Sequence, residues 1–313
     1  MSLLPESFHA ALTVGLAVLL DLVFGEPRSQ WHPVAWVGRG LGWARPWAPK
    51  GGPAALFCFG ALAVLGSSLP VALLAGAMAD GSRGLGWLGL VVQAWLLKCT
   101  FALRGLVEAA RAVQANLALG NLDEARRAVG WHLVSRPTGE LSADHVASAV
   151  VESVSENVTD SLVAPLFFFL LFGVAGAWAY RVVNTADAMW GYREGELEYF
   201  GKPAARLDDL LNWIPARLAG VAIVLGALIA REAAMEAWHT MWREHGRTAS
   251  PNAGWTMAAM AGALSVALER PGSYRLGAGA LPSASTIDRA LRVMVAASGL
   301  ALLASVTIAG LVR

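Results

Sequence analysis

Between Val150 and Leu218 the chain gathers Glu152, Glu156, Asn157, Asp160, Arg181, Asn184, Asp187, Asp208, Asp209, Asn212 and Arg217 around one strongly apolar run. Carboxylates, arginines and carboxamides in this mixture suit phosphate chemistry. Aspartate and asparagine oxygens suit Mg²⁺, which uses one or two carboxylates together with substrate phosphates, and the guanidinium fork matches a phosphate. Polar groups beside a membrane-grade segment are costly, so their density here marks the expected active site. At about 100° per residue, His145, Glu152, Glu156 and Asp160 fall within a helical sector of about 80°, with Asn157 about 60° beyond it. Carboxylates stacked at i, i+4 and i+8 repel one another, the more so in a dry cleft, and a divalent cation or arginines between them would offset the cost. Arg181, Asn184 and Asp187 share one side of a second helix, and Asp208 and Asn212 lie one turn apart. Asp209 either caps a helix or pairs with Arg206.

The elements that must position these groups belong to a membrane protein. Of 313 residues, 56% are hydrophobic and 15% charged, against about 25% charged in soluble domains. The expected fold is all-α and polytopic, a single membrane-embedded domain over residues 1–313 with about five or six membrane segments plus amphipathic helices. The net charge of +1 gives no reason to expect nucleic acid. Cys58 and Cys99 sit in apolar segments at no metal-ligand spacing and read as buried, inert thiols. Glu6 and the missing small-residue cleavage site argue against a signal peptide, so Phe8–Phe24 reads as a retained first span.

Proline ends that span at Gly25-Glu26-Pro27. Trp31, Trp36, Trp43 and Trp47, interleaved with basic residues, suit a segment in the headgroup region on the cytoplasmic side. Ala54–Ala79 and Gly84–Leu103 read as further spans joined by a tight turn at Asp80–Arg83. Gly84, Gly86 and Gly89 match a dinucleotide-binding glycine pattern, but no strand precedes them and close helix packing is the better reading. No phosphate-binding loop G-x-x-x-x-G-K-[ST] occurs. The glycosylation sequon at Asn157-Val-Thr159 is discounted beside an apolar segment. Arg104 to about Gly130 reads as one amphipathic helix, and Ser142 caps the acidic helix. Arg231–Arg247 reads as solvated, Asn252 as a group at a helix entry that can be a cap, Glu269–Gly277 as a polar loop, and Val293–Leu311 as the last span. Cytosolic excursions at about 25–53, 104–161 and 181–217 carry the site.

Pro165 interrupts the run Leu162–Tyr180, and Gly173 and Gly176 loosen it. If the run crossed the bilayer fully, it would separate the acidic helix from Arg181–Asp209. It is therefore expected to be bent or re-entrant, which irregular backbone allows where it lines a cavity. A cysteine label at Glu196 would then react from the cytoplasm. From residue chemistry alone an ion-coupled transporter fits as well as a phosphate-handling enzyme.

One resemblance narrows the choice. Asp21-Leu-Val-Phe-Gly25-Glu-Pro27 with His32-Pro33-Val34, Glu152-x-x-x-Glu156-Asn157-x-x-Asp160, Ala164-Pro165-Leu166, Tyr180-Arg181-x-x-Asn184-Thr185-x-Asp187-x-Met189-x-Gly191-Tyr192, Phe200-Gly201, Ala205-Arg206-x-Asp208-Asp209-x-x-Asn212-x-x-Pro215-Ala216-Arg217-Leu218 and Ser250-Pro251-Asn252-Ala253-Gly254 together resemble the adenosylcobinamide-phosphate synthase family of cobalamin biosynthesis. One motif departs: the family's Arg-Asp-Thr is Arg136-Pro137-Thr138 here, so no aspartate role carries over there. The resemblance implies a multi-pass enzyme of the bacterial inner membrane with its site facing the cytoplasm. It implies ATP-dependent ligation of (R)-1-aminopropan-2-ol phosphate, or a related amino alcohol, to the free propionate carboxylate of adenosylcobyric acid through an acyl phosphate. The implied cofactors are ATP and Mg²⁺, the substrates a corrinoid and an amino-alcohol phosphate, and the partners the lipid bilayer and other late corrin-pathway membrane enzymes. Under it, spacing and charge make Glu152, Glu156, Asp160 and Asp187 the expected Mg²⁺ ligands or base. Arg181 and Arg217 are the expected phosphate contacts. Asn157, Asn184, Asp208, Asn212 and Asn252 are expected to orient substrate. His32 either contacts phosphate or corrin or makes a structural hydrogen bond beside Pro33. A transporter, or a membrane signalling protein of a related fold, stands as the alternative.

Overall fold

The computed structural model describes residues 6–191, 195 and 197–312. Tyr192 of the sequence motif and the labelling position Glu196 lie outside the described residues. The helices in chain order are α1 (Glu6–Phe24), α2 (Pro33–Ala44), α3 (Pro53–Ser82), α4 (Trp87–Lys98), α5 (Leu103–Ala118), α6 (Leu122–His132), α7 (Ala143–Val158), α8 (Ala164–Trp190), α9 (Leu197–Phe200), α10 (Lys202–Leu211), α11 (Trp213–Ile229), α12 (Ala234–Glu244), α13 (Ala253–Leu264) and α14 (Ala284–Val312). Strands β1 (Ala267–Arg270) and β2 (Tyr274–Gly277) form an antiparallel hairpin between α13 and α14. Among the described residues four helical runs are long and apolar enough to cross a bilayer, or up to five if a bent pair counts as one. The chain divides into two compact units, one of residues 1–102, 164–212 and 304–313, the other of 103–163 and 213–303.

In the first unit α3 packs along α8, and α8 is where the chain departs from a plain span. Its backbone is non-helical at Gly173, with φ 67° and ψ −157°, a region open essentially to glycine alone. Phe168 and Tyr180 stack with ring centroids 5.4 Å apart and planes at 14°. In one continuous helix those twelve positions would be separated by about 18 Å. Ala164 joins the same buried cluster, so the chain goes out along 164–172, reverses at Gly173 and returns along 174–190. The bend expected in Leu162–Tyr180 is thus present, inside the apolar helical run Ala143–Trp190. Its place is Gly173, where the backbone is non-helical; Pro165 lies just after the π-helical turn Thr159–Val163 and does not break the helix. Gly173→Ala should cost about 1–3 kcal/mol from backbone strain alone. Thermal unfolding in detergent would show it, and an unshifted midpoint would mean that the reversal does not depend on glycine.

Other expectations change where local geometry intervenes. The span placed at Gly84–Leu103 begins with α4, which ends at Lys98, and lies in a helical run, Trp87–Ala118, that is long and apolar enough to cross. The amphipathic stretch 104–130 is two helices, α5 and α6, because Gly120 turns the chain with φ 75°. Cys99 is buried as expected, but Cys58 is exposed on α3.

In the second unit every residue of α13 from Gly254 to Leu264 is buried, as befits a helix apolar all round. It is enclosed by α11, α12, α7 and the hairpin. Arg231–Arg247 is accordingly solvated on one side only: its helix α12 leaves Glu236, His239 and Arg243 exposed but buries Ala237 and Met241 and packs against α13. The polar stretch 269–277 is the hairpin, turned by Gly272 at φ 73°. Gly226 of α11 lets Val293 and Ala297 of α14 approach closely.

Candidate active site

Each unit carries part of the expected site. In the first, α8 and α10 build one connected polar network. Asp208 is buried and accepts hydrogen bonds from Asn184 Nδ2 at 3.2 Å and Asn212 Nδ2 at 2.9 Å, one on each carboxylate oxygen. Tyr180 donates its hydroxyl to Asn212 Oδ1 at 3.0 Å, and Arg181 reaches Asn184 Oδ1 at 3.4 Å. With both amides oriented by donors behind them, each turns its NH₂ to the carboxylate. Asp208, Asn184 and Asn212 thus hold one another, and Arg181 keeps a buried Nε with no partner among the described residues. Asp187 lies half-buried on the same stretch of α8, within electrostatic range of Asp208 and Asp209. Gly191 makes room for it, since a Cβ there would lie 2.1 Å from Asp187 Oδ1. Asp209 pairs with Arg206 at 3.5 Å.

His32 takes the structural alternative. Its Nδ1 caps α2 by accepting from Val34 N at 3.1 Å, and its Nε2 bonds the Glu26 carboxylate. Glu26 also receives Lys98 Nζ at 2.5 Å, and Lys98, wholly buried, lies 3.6 Å from the equally buried Asp21. Burial pushes the Glu26 carboxyl up, but the hydrogen bonds from His32 and Lys98 outweigh it and hold the group below its ordinary value of 4.5. Both nitrogens of His32 are therefore engaged by the protein itself.

In the second unit Ser142 caps α7 by accepting from His145 N, as expected. Glu152 is buried and takes three donors: Ser148 Oγ at 2.8 Å on one oxygen, Arg136 at 3.1 Å and the Tyr274 hydroxyl at 2.8 Å on the other. Burial and the Glu152 and Glu156 carboxylates hold the Tyr274 phenol far above its usual range, so it remains a donor. Glu156, one turn on, is half-buried and has no hydrogen-bond or ion-pair partner among the described residues, although Glu152, Arg136 and Arg270 all act on it through their charges. Asn157 is spent locally, donating to Ser153 O at 2.9 Å and accepting from Ser161 Oγ at 2.6 Å. Those bonds brace the π-helical turn Thr159–Val163. Asp160 sits inside that turn, so the regular α-helical register that aligns Glu152 with Glu156 does not extend to it.

Arg217 of α11 is held between two tryptophans, its Cζ 4.3 Å from the Trp213 ring and 4.7 Å from the Trp255 ring. It reaches the Trp213 carbonyl and, at 3.5 Å, Asn252 Oδ1. Asn252 occupies the N-cap position of α13 without a capping bond from its side chain, so its carboxamide serves Arg217 and not the helix end. His245 stacks on Trp255, with ring centroids 4.0 Å apart.

Arg136 and Tyr274 were not among the residues expected at the site. Ser148, four residues before Glu152, was legible from helical spacing, but Arg136 and Tyr274 arrive from a loop and a hairpin that no local pattern connects to α7. No three His, Cys, Asp or Glu side chains converge to hold a metal among the described residues. The carboxylates expected as Mg²⁺ ligands thus form no ready-made cage. Asp187 and Glu156, each without a protein partner among the described residues, fit instead the sparse protein contribution made to a cation that arrives with phosphate oxygens.

Comparison with known proteins places the chain in a family. Residues 14–295 match the family described as CobD/Cbib protein. The chain is 42% identical over 263 residues to the cobalamin biosynthesis protein CobD of Dehalococcoides mccartyi, covering 84% of this chain and 85% of the relative. It is 37% identical over 301 residues to the cobalamin biosynthesis protein CobD of Klebsiella pneumoniae, covering 92% and 93%. No solved structure matches. With the family matched across nearly its whole length and the polar networks built from the motifs that first pointed to it, the chain belongs to the CobD/Cbib protein family.

Proposed function

We propose that this chain acts in cobalamin biosynthesis as an adenosylcobinamide-phosphate synthase, in the membrane and facing the cytoplasm. It would join the amine of (R)-1-aminopropan-2-ol phosphate, or a related amino alcohol, to the free propionate carboxylate of adenosylcobyric acid. ATP supplies the activation of that carboxylate; the amine displaces the transferred phosphate, and the amide forms. Bound ATP would bring Mg²⁺ with it, held in addition by Asp187 or Glu156 and neutralising phosphate charge. Arg181 and Arg217 bind phosphate oxygens through charge-assisted hydrogen bonds. Asn184, Asn212 and Asp208 keep Arg181 and the neighbouring polar surface in one orientation. Glu156 takes the proton from the incoming ammonium, which makes the amine nucleophilic.

The observation that carries this reading is the contrast between two acids one turn apart. Both oxygens of Glu152 are occupied by protein donors, whereas Glu156 has no partner among the described residues and is only half-buried. A structural pair of acids would both be satisfied. Titrating detergent-solubilised protein with Mg-ATP and with cobyric acid tests the reading: both should bind saturably, and binding of neither would argue against an enzyme of this kind. A second expectation concerns the tryptophan clamp. Arg217→Lys keeps the charge but loses the flat fork that stacks between Trp213 and Trp255. The KM for the amino-alcohol phosphate or for ATP should rise about tenfold, a loss of about 1.4 kcal/mol, with kcat changed less. Unchanged KM for both substrates would remove Arg217 from phosphate binding.

A further inference from the structure

The reversal at Gly173 faces a cavity that the proposed reaction does not use. It encloses about 360 Å³ within the first unit, between the starts of α1 and of the returning arm of α8 and the end of α3. His9, Thr13, Asp80, Arg83, Gln93 and Gly173 are among its lining residues. Along the returning arm Gly173 stands about 16 Å from Asn184, so the cavity is separate from the Asp208 network.

Gln93 shows what the cavity lacks. The residue is only 6% exposed, and its Oε1 is 3.2 Å from His9 Nε2. A carboxamide oxygen can only accept, so His9 donates. The Gln93 Nε2 is buried with no partner among the described residues, and an unsatisfied buried donor costs about 1–3 kcal/mol. Arg83 stands at the rim, held by Asp80 at 3.1 Å. The returning arm begins at Val174, also part of the wall, and the N–H groups of a first helical turn lack partners within their own helix. The outgoing arm ends at the same tip, so the two helix dipoles largely cancel and the individual donors decide the preference. Those donors are a buried amide NH₂, a guanidinium and backbone N–H groups; all call for acceptor oxygens, and the guanidinium favours anionic ones.

We propose that this cavity is a phosphate-binding site distinct from the catalytic centre, and that its occupant is a phosphate group carried by a membrane phospholipid headgroup or free in solution. The lipid source suits the surroundings. Arg83 and Asp80 close an apolar 30-residue helix, the place where charged side chains meet headgroups. The bound phosphate would satisfy Gln93 and tie α4 to the reversal of α8.

The proposal stands independently of the reaction, so its test reads binding. Delipidated wild-type protein in detergent would be titrated with short-chain phosphatidylglycerol and, separately, with inorganic phosphate, by calorimetry and native mass spectrometry. Gln93→Leu removes the unpartnered donor and Arg83→Gln the rim charge. Saturable 1:1 binding of one probe, weakened about tenfold or more by each variant, is the expected result, as befits loss of a hydrogen bond to a charged group. Binding of the lipid alone would identify the headgroup as the source, and binding of phosphate alone the free ion. If wild-type protein binds neither probe, or a folded variant binds as wild type does, the proposal is overturned. Should Gln93→Leu fail to fold, Arg83→Gln at the exposed rim decides the matter alone.

Discussion

Glu156→Gln should lower turnover of cobinamide phosphate formation by about 10²–10⁴-fold, the usual contribution of a positioned general base. The substitution keeps the shape and leaves the networks of the second unit intact, because Glu156 makes no hydrogen bond or ion pair among the described residues that glutamine would break. Stability and the affinity for the corrinoid should therefore stay close to wild type. The control lies one turn earlier. Glu152→Gln takes the charge from a buried acid that answers Arg136, Ser148 and Tyr274, leaving the half-buried Arg136 guanidinium without its ion-pair partner. Loss of a partner in a buried ion pair typically costs about 3–5 kcal/mol, so this variant should fail first in thermal unfolding and only secondarily in rate. Assayed in membranes, unchanged turnover in Glu156→Gln would take that residue out of the mechanism, whatever happens at Glu152.

The largest effect on stability is expected at Lys98. Its ammonium is wholly buried between Asp21 and Glu26, and Lys98→Met fits the stem but takes the counter-charge from both carboxylates, for about 3–5 kcal/mol. The pH dependence distinguishes this cause from a packing defect. Glu26 is held below its ordinary 4.5, so it binds fewer protons folded than unfolded there. Its contribution is complete above about 4.5 and is lost as the pH falls through the lower folded value. The stability gap between wild type and Lys98→Met should accordingly be constant near neutrality and narrow in acid. A gap that stayed the same down to about pH 3 would point to lost packing instead.

How much of this was visible in the sequence differs from residue to residue. The acidic helix, its Ser142 cap and the pairing of Asp208 with Asn212 follow from spacing along single helices, and those features are present. The reversal within α8 was demanded by the chemistry on its two sides, yet proline drew the eye to residue 165 while glycine at 173 performs the turn. Conformational permissiveness leaves a weaker mark on a sequence than a missing donor does. Lys98 stands out less, because nothing nearby in sequence announces that Asp21 and Glu26, more than 70 positions away, take up its charge. Arg136 and Tyr274 reach Glu152 over separations of 16 and 122 residues. Long-range partners of this kind are set by tertiary packing, which a single chain of letters does not display. The hairpin β1–β2 was hidden for a different reason: its strands are four residues each, too short for alternation to stand out.

The interleaving of the two units has a consequence for how the protein must be made. Residues 1–102 cannot complete their unit until 164–212 have emerged, and 304–313 close it last. At a synthesis rate of about 5–20 residues per second, the early helices wait several seconds at least for the arm that packs along α3. In that interval the small-residue positions of α3, Gly60 and Gly76, which later meet Phe200 and Ala175, have only lipid against them. The bilayer itself then acts as the holding environment for a half-built unit. A chain cut at residue 163 should insert its first helices and yet remain unfinished and open to proteolysis, until a separately produced 164–313 fragment supplies the missing strands of the weave.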